Sequence, residues 1–401
     1  MEFRRITNLP PYVFTIINNL KIEARRSGVD VVDLGFGNPD IPSPSIAVEK
    51  LGESARIARN HRYSMSRGLP KLREAIADLY KRKWNVDLDV ETEITNTIGS
   101  KEGFSHLMWV LLDRGDAAIV PSPSYPIHIY GPLFAGADLR QVPMRSLSDP
   151  RVQTDFEGDF FDNLTTAYEV GWPKPRVLVI SFPHNPTGSC VDLPFMQRVV
   201  DFCRERDMIV VHDFAYADVG FGGYQPPSIL QAEGAKECAV ELYSMTKSFS
   251  MAGWRVAFLL GNAEVVQALV KLKSYLDYGT FQPIQIAATV TMNEAADYPA
   301  EVCSIYESRR DALIDGLERI GWDIPKPQGS MFVWAPIPEP YADMSSVEFC
   351  SHLIRESEVA LSPGVGFGPG GEGFARFALI EKEKRIAQAI RNLNKGMPTL
   401  G

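Results

Sequence analysis

Short apolar runs alternate with helical patterns through the middle of this 401-residue chain. Three of the runs place aliphatic or β-branched residues on consecutive positions, which is typical of strands covered on both faces. Between them, the segment 193–206 carries Phe195, Val199 and Phe202 on one helical face. This alternation predicts an α/β fold in which a mostly parallel central sheet has helices on both faces. The predicted strands are residues 117–120, 176–182, 208–214, 239–244 and 256–261.

The two ends of the chain follow different patterns. A helix is predicted from Pro70, because proline is favoured at the first helical position, and another begins near Ser100. After about residue 290, a long helix over 298–320 precedes short strands around "MFVWAPI" and "FARFALI" and a closing helix. We therefore expect a second, smaller α/β domain, which the first residues join because they lack strand–helix alternation of their own. The predicted large domain covers 45–288, and the predicted small domain combines 1–44 with 289–401.

Composition and charge narrow the class of protein. The net charge is −9 and no basic cluster is present, which argues against nucleic acid or an anionic membrane as a partner. No apolar run approaches the roughly 18 residues of a membrane helix. The five cysteines are odd in number and lack C-x-x-C spacing, so we expect reduced thiols in the cytoplasm and no metal site.

Polar residues follow the predicted strands of the large domain. Asn185 lies in "PHNPTG" after one strand, Asp213 and Tyr216 end the next, and Ser244 and Lys247 follow a third. Ligands of open parallel sheets bind at the carboxyl ends of the strands, so these residues can converge although they are far apart in sequence. Each motif alone is weak, since an isolated lysine is usually a surface residue and "NPTG" is an ordinary turn.

Together these residues suit one cofactor. The helix start "GSKEG" offers free backbone N–H groups to a phosphate, and Ser244 and Arg255 can add to that cradle. A carboxylate can hold a pyridinium N–H, a tyrosine and an asparagine can bind a phenolic oxygen, and a lysine can form a Schiff base with an aldehyde. Pyridoxal 5′-phosphate has all four groups. The Gly-rich stretch 362–373 lacks the strand–loop–helix context of a dinucleotide site.

The sequence resembles the class I, fold type I aminotransferases that depend on pyridoxal phosphate. "NPTG", "D-x-x-Y" and "S-x-x-K-x7-R" carry the resemblance, which covers essentially the whole chain. Within that superfamily it is most similar to bacterial alanine aminotransferases, through "LPPYVF", "GSKEG", "PSYPIHIYG", "VHDFAYAD", "KSYLDYGTFQP" and "ARFALIE". Aminotransferases for diaminopimelate and methionine share part of this similarity.

The resemblance implies a role for each matching residue. Lys247 would hold the cofactor aldehyde, Asp213 the pyridine nitrogen, and Arg376 the substrate α-carboxylate, for which a planar guanidinium fork is suited. Tyr216 and Asn185 would bind the phenolic oxygen. The remaining implied contacts are the ring stack of Tyr125, the phosphate site of Ser100, Lys101, Ser244 and Arg255, and substrate contacts of Asn185 and the Gly37 backbone.

The resemblance also implies a homodimer with shared sites and a transamination between small amino acids and 2-oxo acids. Tyr63 matches a tyrosine that reaches the phosphate of the partner subunit, and Thr280 is a weaker candidate. L-alanine with 2-oxoglutarate is the expected pair, with Lys101 near the distal carboxylate of the larger substrate. The substrate-pocket candidates Tyr12, Tyr125 and His128 could close around a small side chain.

Other interpretations use part of the same residues. Ser244-x-x-Lys247 fits the serine–lysine motif of penicillin-recognising enzymes, but neither S-D-N nor K-T-G occurs in the chain. A lyase or decarboxylase on the same fold would use the same Lys247 and Asp213, so that alternative stays open. A transcriptional regulator would need a DNA-binding module before "DLGFGNPD", where only about 30 residues lie, and the acidic charge opposes DNA.

Overall fold

A seven-stranded sheet forms the centre of the molecule in the computed structural model, which describes residues 3, 9, 13–144 and 156–397. Its strand order is β2-β8-β7-β6-β5-β3-β4, with β8 antiparallel to both neighbours and the other pairs parallel. The strands are β2 (Ile94–Thr97), β3 (Ala117–Ser122), β4 (Asp138–Pro143), β5 (Val177–Ile180), β6 (Ile209–Phe214), β7 (Ala239–Ser244) and β8 (Ala257–Gly261).

Helices connect and cover these strands along the described chain. Local signals start several of them: Pro70 opens its helix at the first position, and the Asp192 carboxylate accepts a 2.9 Å hydrogen bond from the Phe195 backbone N–H. The helices are α1 (Val13–Arg26), α2 (Ser45–Ala55), α3 (Pro70–Trp84), α4 (Ser100–Leu111), α5 (Pro126–Ala135), α6 (Phe156–Glu169), α7 (Leu193–Arg204), α8 (Ala235–Cys238), α9 (Met245–Ser248), α10 (Ala263–Leu276), α11 (Gln282–Glu294), α12 (Tyr298–Arg319), α13 (Ser346–Ser357) and α14 (Glu383–Gly396).

Alternate residues of one strand show that the sheet is covered on both faces. Leu178 belongs to a buried cluster with Phe195 of α7, whereas the adjacent Val177 belongs to a separate cluster with Phe104 of α4. Successive side chains of a strand point to opposite faces, so one face packs against α7 and the other against α4. The predicted α/β fold, with a mostly parallel sheet between helices, is confirmed.

The sequence pattern did not reveal β4, which pairs with β3 at the edge of the sheet. Of its six residues only Val142 is buried, so the apolar run that marked the inner strands is missing here. An edge strand with polar residues is a common way to limit pairing with other chains.

A second buried cluster belongs to the two ends of the chain. Ile17 of α1 and Val32 pack with residues of α12 and α13, among them Leu313 and Phe349. The strands here form an antiparallel sheet of order β11-β12-β9 and a parallel β1/β10 pair. The proposed domain limits, 45–288 against 1–44 with 289–401, stay a prediction. These strands are β1 (Val32–Asp33), β9 (Phe332–Pro336), β10 (Val359–Ala360), β11 (Ser362–Pro363) and β12 (Phe374–Ala378).

Among the described residues, no helix combines the length and the apolar character required to cross a bilayer.

Candidate active site

A cavity of about 200 Å³ opens at the carboxyl ends of β5, β6 and β7. The antiparallel direction of β8 places Arg255, two residues before its start, at the same edge as the end of β7. Residues from both ends of the chain complete the walls. The sequence-predicted residues that line this cavity are Gly37, Ser100, Lys101, Tyr125, Asn185, Asp213, Tyr216, Ser244, Lys247, Arg255 and Arg376.

Asp213 is the second-last residue of β6, and only one oxygen of its buried carboxylate makes a hydrogen bond in the described protein. Its Oδ2 lies 2.9 Å from Nε2 of His128, and Nδ1 of that histidine lies 2.9 Å from the Ser124 hydroxyl. The other oxygen, Oδ1, is buried and has no hydrogen-bond partner in the described protein. Because a buried acceptor without a donor is costly, this atom fits a ligand N–H that enters the cavity.

Lys247 follows β7 in the short helix α9, and its side chain is only 8% exposed. Its Nζ donates a 2.7 Å hydrogen bond to the Gly37 carbonyl oxygen. Burial lowers the pKa of Lys247 to about 7, and the positive charges of Arg376 and Arg255 add to this effect. The amine is therefore partly neutral near pH 7, as a nucleophile or proton acceptor must be.

Arg376 of β12 reaches the cavity from the C-terminal part of the chain. Its Nη1 donates a 2.8 Å hydrogen bond to Asn185 Oδ1, and its Nη2 a 3.0 Å bond to the Gly35 carbonyl. The guanidinium carbon lies 3.8 Å from the Phe332 ring centre and 4.5 Å from that of Phe367. These contacts orient a planar, permanently charged fork that can bind a carboxylate.

The Asn185 amide also connects this fork to the tyrosine that the sequence placed on the cofactor. Its Nδ2 donates to the Tyr216 hydroxyl at 3.4 Å. Burial raises the pKa of Tyr216, so the phenol keeps its proton and can donate a hydrogen bond in the cavity.

The start of α4 lines the cavity together with Arg255. Gly99 has a φ of +81°, and a Cβ atom there would lie 2.2 Å from Arg255 Nη2. Absence of a side chain therefore lets the arginine approach the first backbone N–H groups of the helix. The Glu102 carboxylate accepts a 2.6 Å hydrogen bond from the Ile98 N–H and pairs with Lys273 at 2.8 Å, which ties this turn to α10. The result is a cationic end suited to a phosphate.

Other predicted residues are not among those lining the cavity. Tyr63 is 91% exposed and its ring centre lies 5.3 Å from that of Tyr278. Thr280 is buried and donates to Asn96 Oδ1 at 2.8 Å in the same chain. His128 does not close the substrate pocket but lies behind the Asp213 carboxylate. Tyr12 falls outside the described residues.

Sequence reasoning missed seven further residues of the cavity wall, most of them apolar. These residues lie in loops or in ordinary apolar runs and carry no chemical signature of a site. They are Phe14, Phe36, Ser181, Ala215, Thr246, Phe332 and Phe367. Ser181, Ala215 and Thr246 follow the ends of β5, β6 and β7, whereas the four phenylalanines reach the cavity because the N-terminal and C-terminal parts of the chain pack against the central sheet.

The arrangement fits pyridoxal phosphate. The buried Oδ1 of Asp213 matches a pyridine N–H, the Arg255 guanidinium beside the start of α4 matches a phosphate, and the Lys247 amine matches an aldehyde. Such a site at the carboxyl edge of this sheet defines an α/β enzyme of the fold type I pyridoxal-phosphate class.

Comparisons with known proteins give the family. Residues 29–393 match the family described as aminotransferase class I and II. The chain is 48% identical to the glutamate-pyruvate aminotransferase AlaC of Escherichia coli strain K12, over 98% of this chain and 93% of the relative. It is 39% identical to the LL-diaminopimelate aminotransferase of Moorella thermoacetica, over 98% of each chain. The substrate-bound BacF structure from Bacillus subtilis superposes with a TM-score of 0.89 at 32% identity, covering 98% of this chain and 97% of that one.

The chain therefore belongs to the class I and II aminotransferases, and it is a pyridoxal-phosphate-dependent aminotransferase. The resemblance inferred from "NPTG", "D-x-x-Y" and "S-x-x-K-x7-R" is confirmed.

Proposed function

We propose that this aminotransferase transfers the amino group of L-alanine to 2-oxoglutarate and forms pyruvate and L-glutamate. The observation that carries the proposal is the buried guanidinium of Arg376, which lies against two aromatic rings and can bind the α-carboxylate of an amino acid or a 2-oxo acid. Similarity to a glutamate-pyruvate aminotransferase supports the same choice.

The proposed cofactor contacts follow from the geometry of the site. Asp213 Oδ1 would accept the pyridine N–H, while His128 orients that carboxylate through Oδ2. Tyr216 and Asn185 would donate to the phenolic oxygen, and Tyr125 would stack on the ring. The proposed phosphate contacts are Ser100, Lys101, Ser244 and Arg255.

Lys247 is the proposed general base and general acid. Pyridoxal phosphate, when bound, supplies the aldehyde that receives the amino group and an electron-poor ring that stabilises negative charge at the substrate Cα. The free Lys247 Nζ would take the proton from the substrate Cα as a base and would then donate it as an acid on the cofactor side of the substrate nitrogen. Burial lowers the pKa of Lys247 and so favours the neutral amine that must accept the Cα proton.

Arg376 is the proposed clamp for the α-carboxylate of every substrate, assisted by Asn185 and the Gly37 backbone. Lys101 is exposed at the cavity wall, with its Nζ 5.9 Å from the Tyr125 ring centre. We propose that this cation attracts the distal carboxylate of glutamate and 2-oxoglutarate, which alanine and pyruvate lack.

A homodimer is the proposed active form. Large hydrophobic side chains of two neighbouring segments are exposed, which is a mark of protein interfaces. The segments touch, because the Gly279 N–H donates to the Ser64 carbonyl at 3.1 Å. We call these residues the aromatic patch: Tyr63, Met65, Tyr275, Tyr278 and Phe281. Through this surface Tyr63 would reach the phosphate site of a second copy.

The cytoplasm is the proposed compartment. All five cysteines lie in the described part of the chain and all are free, as expected in a reducing environment.

A panel of amino donors tests the substrate choice. Purified enzyme with pyridoxal phosphate is assayed with L-alanine, LL-diaminopimelate and L-methionine at fixed 2-oxoglutarate. We expect L-alanine to have the highest kcat/KM and to give the parallel double-reciprocal lines of ping-pong kinetics, because one site serves both substrates in turn. If diaminopimelate exceeded alanine by about tenfold, the alternative supported by the 39% identical relative would replace our proposal.

A further inference from the structure

A second cavity lies beside the active site and is about three times larger, about 650 Å³ against about 200 Å³. The described residues that line both cavities are Phe14 and Phe36. These two side chains therefore stand between the space that holds the reacting atoms and a neighbouring space that could hold a longer side chain.

Of the two side chains between the cavities, Phe14 has the more extensive packing contacts. Its ring packs edge-on against Phe367, with 5.2 Å between ring centres. It also lies directly on Gly366, where a Cβ atom would come within 2.9 Å of the ring. Phe367 in turn packs against Trp334 at 5.9 Å, whereas Phe36 is 65% exposed. Packing on an aromatic cluster keeps the Phe14 ring in one place, so it acts as a fixed wall.

The same wall borders the position of a bound substrate. Arg376, which would hold the α-carboxylate, lies 4.5 Å from the Phe367 ring centre, and Phe14 is the next ring along this wall. A substrate side chain that extended from the α-carboxylate along these rings would meet Phe14.

The second cavity has walls that suit a polar chain end. Lys21 and Asp33 form an ion pair of 2.6 Å there, and Arg25 and Glu381 also line it. Charges of both signs can hydrogen-bond a ureido, amide or guanidinium group without demanding one net charge.

We infer that Phe14 is a specificity-determining residue: it excludes polar-ended side chains longer than that of glutamate by separating the active-site cavity from the second cavity. This inference rests on the proposed preference for small amino acids and names the residue that enforces it. Replacing Phe14 by a small residue joins the two cavities and admits amino acids such as L-citrulline.

The test compares kcat/KM for L-citrulline with that for L-2-aminobutyrate, a short donor. In Phe14→Ala we expect this ratio to rise by about tenfold or more, since a few methylene groups in a pocket change selectivity by that order. Phe332→Ala is the matched control, because Phe332 lines the active-site cavity but not the second cavity. Its lost contact with Arg376 affects both donors alike, since both carry an α-carboxylate. The ratio in that variant should change by less than about threefold.

An unchanged ratio in Phe14→Ala, or an equal rise in Phe332→Ala, would overturn the inference. If Phe14→Ala fails to fold, Phe14→Leu replaces it, with an expected rise of about threefold, and an unchanged ratio there also overturns the inference. The ratio is read within each variant, so it stays informative even if wild-type enzyme prefers a donor other than alanine, which would contradict only the proposed function.

A binding measurement tests the role of Phe14 without catalysis. Calorimetry with 5-ureidopentanoate and butyrate, which lack the reacting amino group, compares a long with a short carboxylate. Phe14→Ala should tighten binding of the long compound about tenfold relative to butyrate. Equal relative affinities in wild type and variant would contradict the partition.

Discussion

Lys247 shows at the residue scale how burial prepares a side chain for chemistry. An exposed lysine is almost fully protonated at neutral pH, but burial beside Arg376 and Arg255 lowers the pKa of this amine to about 7. The same two arginines are the proposed holders of the substrate carboxylate and the cofactor phosphate. Anions bound at those sites therefore raise the pKa of Lys247, because they neutralise the positive charges that lower it.

Capture of the cofactor should follow this titration. We expect the rate at which apoenzyme recombines with pyridoxal phosphate to rise with pH through a midpoint near 7, because only the neutral amine reacts. Stopped-flow absorbance gives the rate. Arg376→Met should move the midpoint upward, since it removes a nearby positive charge. A midpoint near 10 in wild type would show that Lys247 is not desolvated as described.

Asp213 should matter through its charge and not through its shape. Asp213→Asn keeps the size of the side chain but cannot stabilise a protonated pyridine nitrogen, so transamination should fall by about 10³-fold. Ser105→Ala is a control, because Ser105 bonds only the preceding helical turn in the described contacts. Circular dichroism should show both variants folded. Near-normal turnover in Asp213→Asn would refute the proposed role.

Variants of Arg376 and Lys101 should distinguish the contacts of the two glutamate carboxylates. Arg376→Ala should lower kcat/KM for every amino acid and oxo acid by about 100-fold, as expected for lost charge-assisted hydrogen bonds. Lys101→Ala should lower it by about tenfold for glutamate and 2-oxoglutarate but by less than about threefold for alanine and pyruvate. Steady-state kinetics with both pairs checks this. Equal losses in Lys101→Ala would exclude a distal-carboxylate contact.

At the scale of elements, the site depends on how a strand turns into a helix. The turn from β2 to α4 passes through Gly99, whose positive φ and missing side chain let Arg255 approach the helix start. The sheet contributes equally, because antiparallel β8 brings that arginine to the edge where β7 ends. The proposed phosphate-binding end of the cavity thus arises from two connections that are distant in sequence.

Gly99→Ala should weaken cofactor binding. The new methyl group meets the Arg255 guanidinium, so we expect affinity for pyridoxal phosphate to fall by about 10–100-fold, the range for lost hydrogen bonds to a charged group. Gly115→Ala is the control for substitution at a positive φ: its φ is +91°, but nothing lies within 4 Å of the added carbon. Equilibrium titration followed by absorbance measures both. Equal affinities in the two variants would contradict the proposed phosphate site at Gly99 and Arg255.

At the scale of the whole molecule, the aromatic patch on one face is most simply explained by a second copy. Tyr275→Glu combined with Tyr278→Glu should convert a dimer into a monomer and abolish most activity, because charges in a hydrophobic interface lose their hydration. Trp172→Glu, an 83% exposed position outside the patch, should leave the dimer intact. Sedimentation velocity decides between these outcomes. A fully active wild-type monomer would contradict the proposed assembly.

The sequence by itself determined the local secondary structure and the set of polar residues available for a site. Consecutive aliphatic residues in 176–182 and 208–214 led to two inner strands, because a strand buried on both faces needs apolar residues at every position. Proline at position 70 and the glycine before Ser100 marked helix starts for local reasons of backbone geometry. The spaced motifs also identified the cofactor class, since few molecules need that combination of polar groups.

Tertiary structure alone decided which side chains meet. The contact of His128 with Asp213 joins residues 85 positions apart, and that of Arg376 with Asn185 joins residues 191 apart. No local pattern encodes such contacts, because they depend on strand order, on the reversed direction of β8 and on the packing of α1 against the C-terminal part. Phe14 is the clearest case: in the sequence it is one more apolar residue, and only folding makes it a wall between two cavities.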